Sequence, residues 1–313
     1  MKIAVMGAGA IGGYVGARVA AAGAEVTFIA RGQHLAAIRQ RGLEVRSPLG
    51  DVQVDAATAT DDPAAVGEVG VVLLATKLYD VEAAARAIAP MLGAETAVVC
   101  LQNGVDATAI VARLYGRGCV AGGVVLINAE ITAPGVIRHN ALNHLTVGEL
   151  DGRPSQRLER FAALATRAGI EATLSPDIRL EIWRKFLLLA PMSALSAMTG
   201  VELVRIREQA ETWRLAAEGM REVVAVANAE GVGLTEEDVQ RTLAFVQGMS
   251  PTWRASLAVD LRQGRRLEID WLSGAVCRLG EAAGIPTPFH RVALGALKPH
   301  TAGGRLRNGR LPA

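Results

Sequence analysis

At 313 residues, half of them hydrophobic and 20% charged, the chain has the make-up of a globular protein with material for two cores, which excludes disordered and fibrous classes. A net charge of +2 supplies no field that would recruit nucleic acid or an anionic membrane. Cys100, Cys119 and Cys277 lie far apart with no CxxC pair, and the five histidines form no ligand cluster, so the expectation is a reduced, metal-free, cytoplasmic protein.

The first half alternates strand-like and helix-like segments. "KIAVMG" (2–7) is a short apolar run, an alanine-rich helical pattern follows to Gly23, and "EVTFIA" (25–30) closes a βαβ unit. The same N-terminus superficially resembles a secretory signal, but glycines at 7, 9, 12, 13 and 16 break its apolar stretch. Residues 43–55 alternate around a Pro-Leu-Gly turn and read as a hairpin. "GVVLLATK" (70–77) and "TAVVCLQNG" (96–104) are candidate buried strands, each followed by a helical stretch. Three closer segments, 119–130, 135–140 and 144–150, suggest that the sheet ends in antiparallel strands.

From about residue 176 the pattern is helical, over 178–200, 207–231, 235–248, 252–262 and 266–284. These segments predict an α/β fold: a Rossmann-type dinucleotide-binding domain (1–176) followed by an all-α domain (177–313). The apolar run after Lys185 is too short for a membrane span, and Pro191 and serines interrupt it. Pro191 is expected to kink its helix. The stripe in 214–232 could pack within its domain or between subunits, so the chain is expected to be a monomer or a homodimer. The tail "RLRNGRLPA" is expected to be a frayed terminus.

"GAGAIGG" holds Gly7-x-Gly9-x-x-Gly12 between the first strand and the first helix. Gly7 permits the tight turn, Gly9 lets backbone approach a pyrophosphate, and Gly12 lets helix and strand pack closely. Gly7, Ala8, Gly9, Ala10, Ile11 and Gly12 are therefore candidate cofactor contacts. The second strand ends without an acid and leads to Arg31. A guanidinium suits a 2′-phosphate, so NADP is favoured over NAD. Lys77 and Asn103 stand at the carboxyl ends of later strands, where ligands of open α/β sheets bind.

"GAGAIGG", "ARG", "TK", "QNG", "IWRKF", "SLAVDLRQGRRLEIDWLSG" and "GIPTP", in that order, resemble the ketopantoate reductase (2-dehydropantoate 2-reductase) family over nearly the whole chain. The resemblance implies NADPH-dependent reduction of a 2-keto acid to a 2-hydroxy acid, first of all 2-dehydropantoate to pantoate in pantothenate biosynthesis. It implies Lys185 as proton donor and Glu268 at cofactor and substrate. Ser256 would hold the substrate carboxylate, Asn103 would bridge cofactor and substrate, and Arg31 and Lys77 would contact NADP. On residue type alone Asp270 could serve as well as Glu268.

Lys185, Leu189 and Ser193 share a helix face. The family pattern leads one to expect asparagine at the second and third of these positions, where this chain has Leu189 and Ser193, so Ser193 is the candidate substrate contact and the identity of the keto acid is open. The alternatives are another keto acid or ketone as substrate, a 3-hydroxy acid dehydrogenase, and a non-catalytic NADP-binding regulator.

Overall fold

Apolar runs of five or six residues, punctuated by glycine, build a parallel sheet in the first half of the chain. The computed structural model describes residues 1–55 and 58–304; the arginine-rich tail discussed above lies outside the described residues. Two compact units are formed, one from Met1–Gln102 with Ala107–Glu181, the other from Asn103–Asp106 with Ile182–Ala313.

The first unit runs β1 (Lys2–Met6), α1 (Ala10–Ala21), β2 (Glu25–Ile29), α2 (Gly32–Arg41), β3 (Leu43–Arg46), β4 (Val52–Val54), β5 (Ala59–Thr60), β6 (Val69–Leu74), α3 (Val81–Ala87), β7 (Leu92–Cys100), α4 (Ala107–Tyr115), β8 (Val120–Ala133), β9 (Val136–Glu149), α5 (Gln156–Arg167) and β10 (Glu171–Leu174). These strands form one ten-stranded sheet in the order β4-β3-β9-β8-β7-β6-β1-β2-β5, with β10 also paired to β9. From β5 to β8 every neighbour is parallel. The chain leaves β1 for β2 on one side and later returns to β6 on the other, which makes β1 the topological switch point. Burial on both faces explains the unbroken apolar reading of β6 and of the second half of β7. The core lies between the sheet and the inner faces of α1 and α5, around Tyr14, Phe28 and Phe161.

The hairpin expected at 43–55 is present as antiparallel β3 and β4. The segments 135–140 and 144–150 are not separate strands: both belong to β9, which pairs antiparallel with β8 almost throughout. The polar "NALN" between them reads as a turn, yet the chain absorbs it as a register irregularity opposite Ile127 and Asn128. Leu142 there has a φ of 62°, and its carbonyl accepts a hydrogen bond from His139 Nε2 at 2.7 Å.

α6 (Ile178–Thr199) contains the border between the two units. The second unit continues with α7 (Leu203–Glu208), α8 (Ala210–Ala229), α9 (Glu236–Gly248), α10 (Ser256–Arg262), α11 (Ser273–Ala283) and α12 (Pro288–Leu297). Thr235 and Asp238 form a reciprocal capping box that starts α9. The inward stripe of α8, Ala216, Met220, Val223 and Ala227, is fully or nearly fully buried within the chain. α6 is continuous through Pro191 for 22 residues. Proline removes one helical hydrogen bond at a cost of about 3 kcal/mol, and tight packing offsets this here: a Cβ placed on Gly219 of α8 would lie 2.9 Å from Pro191 Cβ.

Candidate active site

At the switch point, the three motif glycines do three different things. Gly7 has a φ of 101°, and a Cβ there would meet Thr76 N at 2.9 Å. A Cβ on Gly12 would lie 2.3 Å from the Gly7 carbonyl oxygen and 2.8 Å from Ala75 Cβ. Both positions therefore need glycine for the protein's own packing. Gly9 has an extended backbone, and a Cβ on it would meet nothing within 4 Å. The fold makes no demand for glycine at Gly9, which fits a position kept bare for a bound group. α1 opens there with no side-chain cap and no acid in its first turn, so Ala10, Ile11 and Gly12 present helix N–H groups suited to an anion.

The carboxyl ends of β6 and β7 flank this loop. Gln102 donates from Nε2 to the carbonyls of Leu74 and Thr76 at 2.8 and 3.3 Å. Its Oε1 and the Thr76 hydroxyl are buried with no hydrogen-bond partner in the protein. Buried polar atoms are rarely left orphaned, and two beside a glycine loop fit a cofactor that would engage them. Lys77 follows at the start of the turn 78–80, partly exposed. Arg31 stands exposed just beyond β2, at the entry to α2. The residues present thus fit a dinucleotide, with Arg31 and Lys77 as the basic side chains of this unit's strand ends.

Sequence reasoning passed over His34 in "ARGQH". Its Nδ1 accepts from the Gly135 N–H at 3.1 Å, which makes Nε2 the protonated nitrogen, donating to the Ala8 carbonyl at 2.8 Å. Burial lowers its pKa from the usual imidazole range, in keeping with this neutral tautomer. His34 therefore pins the glycine loop from outside. Only a strand-to-helix histidine close after the second strand signalled it.

The second unit holds a small pocket. Its polar wall is Asn103, Ser193, Ser256 and Glu268; its apolar wall is Leu189, Leu257 and Leu272. Asn103 belongs to the short segment grouped with this unit, and Asp106 at the segment's end accepts from Arg278 of α11 at 2.7 Å. Ser193 and Glu268 are 3% and 6% exposed, and Ser256 is the first residue of α10. Leu257 and Leu272 were not anticipated, because each reads as an ordinary core leucine beside a polar candidate.

Lys185 is not in the pocket wall. It precedes Leu189 by one turn on the same face of α6, about 6 Å along the axis. Some of its surface is accessible, but dense protein around it desolvates the ammonium and lowers its pKa to about 8, while the charge of Glu268 acts in the opposite direction. An amine with this pKa can both hold and release a proton near neutrality. The buried thiol of Cys100, in contrast, is pushed up to about 12 by burial and is inert as a nucleophile. Among the described residues no cluster of three or more His, Cys, Asp or Glu could hold a metal, and no helix is long and apolar enough to cross a membrane.

Comparison with known proteins matches both units. Residues 3–152 match the model for "Ketopantoate reductase PanE/ApbA", and residues 177–301 match the model for the C-terminal part of the same family. The 2-dehydropantoate 2-reductase of Mesorhizobium japonicum is 34% identical over 309 residues, covering 92% of this chain and 94% of that one. That of Halobacterium salinarum is 30% identical, covering 93% and 96%. The crystal structure of a PanE/ApbA family ketopantoate reductase from Ralstonia eutropha JMP134 is 36% identical, with a TM-score of 0.88 over 96% of this chain and 98% of that one. A Rossmann-type unit with a ligand-ready glycine loop, a helical unit with a tuned lysine, and agreement along the whole length lead to one conclusion: the chain belongs to the ketopantoate reductase PanE/ApbA family.

Proposed function

We propose that this chain is an NADPH-dependent oxidoreductase that reduces a 2-keto acid to a 2-hydroxy acid, with 2-dehydropantoate (ketopantoate) as the leading substrate. When bound, NADPH would supply the hydride that the keto carbon accepts. The chain's own residues then handle the charge that results. As the carbonyl oxygen becomes an alkoxide, the Lys185 ammonium stabilises it and gives it a proton. Glu268 keeps that ammonium charged against the desolvation around it. Asn103 and the hydroxyls of Ser193 and Ser256 are donors for the substrate's ketone and carboxylate oxygens. Arg31 and Lys77 hold the 2′-phosphate and neighbouring oxygens of NADP, and residues 7–12 cradle its pyrophosphate.

The observation that carries this reading is the placement of Lys185 on α6 one turn from a pocket that gathers Asn103, Ser193, Ser256 and the buried Glu268. The test is NADPH consumption with ketopantoate. Efficient turnover is expected, and Lys185→Ala should lower kcat by roughly 10²–10⁴-fold, the range of positioned acid–base groups. NADPH binding without turnover of any keto acid, in wild type and variant alike, would favour the regulator reading. Oxidation of β-hydroxy acids with NADP⁺ would favour a 3-hydroxy acid dehydrogenase. The protein is proposed to act in the cytoplasm as a monomer or homodimer.

A further inference from the structure

On the reading that this pocket binds a 2-keto acid, its walls also say what kind of side chain the acid carries. A 2-keto acid presents three parts: a carboxylate, a ketone and a substituent on the third carbon. The first two parts require donors, and the donors available are the Lys185 ammonium, the Asn103 amide and the hydroxyls of Ser193 and Ser256. The Glu268 carboxylate in the same wall faces the charge of Lys185, and the remaining surface is Leu189, Leu257 and Leu272. Leu257 and Leu272 are 2% and 5% exposed, so their positions are fixed by packing. Leu189 is partly accessible and sits on α6 between Lys185 and Ser193, one turn from each. The position nearest the reacting lysine on that helix therefore offers methyl groups and no hydrogen bond.

We propose that Leu189, together with Leu257 and Leu272, makes the pocket a receptor for an apolar side chain. The chain then reduces 2-keto acids that lack a side-chain hydroxyl at least as well as it reduces ketopantoate. The physical basis is an asymmetry in recognition. A site built to bond a hydroxyl rejects the analogue without it by about 10⁴–10⁵-fold, because its own buried polar groups are left unpaired. An apolar site rejects an added hydroxyl by only about 10²-fold.

Two substrates that differ by a single hydroxyl supply the test: ketopantoate and 3,3-dimethyl-2-oxobutanoate. The wild-type protein is expected to show kcat/KM for the deoxy acid equal to or up to about 10²-fold above that for ketopantoate. Leu189→Asn, close to leucine in shape but able to bond a hydroxyl, should shift that ratio at least tenfold toward ketopantoate. Leu189→Met should leave the ratio unchanged. A wild-type preference for ketopantoate of about tenfold or more would overturn the proposal while the keto acid reductase reading stood. So would a ratio that Leu189→Asn does not move. Failure to reduce either acid would remove the reading itself, and this proposal with it. If Leu189→Asn does not fold, the wild-type ratio still decides.

Discussion

Lys185 is the proposed proton donor, and its environment sets a pH dependence that can be measured. Desolvation holds its pKa at about 8, so a reaction that needs the ammonium as proton donor should slow as pH rises through about 8. The reverse reaction, which needs the neutral amine as base, should quicken over the same interval. Rate profiles in both directions with saturating cofactor check this, and Lys185→Arg, charged at every accessible pH, should abolish both inflections. The sequence singles out this lysine by its place in "IWRKF". Its tuning was not legible there, because desolvation depends on atoms brought from distant parts of the chain. The same holds for His34, whose two hydrogen bonds go to Ala8 and Gly135, separated from it by 26 and 101 positions.

At the level of elements, the junction of α6, α8 and α12 is tightly packed. A Cβ on Gly219 would approach Phe289 Cδ1 to 2.6 Å and Pro191 Cβ to 2.9 Å. Glu222, one turn further along α8, accepts from the N–H groups of Phe289 and His290 at 2.7 and 3.1 Å and so ties down the start of α12. Gly219→Ala should destabilise the protein. Overpacking costs about 1–3 kcal/mol, and the helix propensity gained returns at most about 1 kcal/mol. Gly295→Ala on α12, where a Cβ meets nothing within 4 Å, should be neutral or stabilising. Urea midpoints for the two variants separate packing from propensity. The sequence announced α6, α8 and α9 through their period, but it did not announce α12. There "GIPTPFH" puts two prolines where a reader expects a loop, and the second is the first helical residue. Pro191 lies inside the continuous α6 and packs against the glycine face of another helix, where a Cβ on Gly219 would lie 2.9 Å from it.

For the molecule as a whole, the fold class was legible because a buried parallel sheet and a set of amphipathic helices leave different periods in the sequence. The long β8–β9 hairpin was harder to see, since its irregular middle is polar and resembles a turn. Stability in acid is a property of the whole chain with an identifiable contributor. His290 is 0% exposed; its Nε2 donates to the Gly219 carbonyl at 3.2 Å and its Nδ1 accepts from the Ser273 hydroxyl at 3.0 Å. Burial lowers its pKa to about 4, partly opposed by the Gly219 carbonyl. The folded state thus keeps the ring neutral while the unfolded chain takes up a proton below about 6.5. Stability is lost as pH falls from about 6.5 to about 4, by an amount on the order of 3 kcal/mol. His290→Gln should be less stable at neutral pH but should lose less on acidification, as thermal melts at pH 7 and pH 4.5 would show.

The bare position at Gly9 has a practical consequence. Because the surrounding protein would accept a methyl group there but not at Gly7 or Gly12, a single carbon atom can separate assembly from cofactor loading. Gly9→Ala should give a chain with wild-type circular dichroism and melting temperature in the absence of nucleotide, yet at least tenfold weaker binding of NADPH by calorimetry. Gly12→Ala should fail to fold stably. The first variant would be a matched control for assays at limiting NADPH, alike in fold and altered only in cofactor loading.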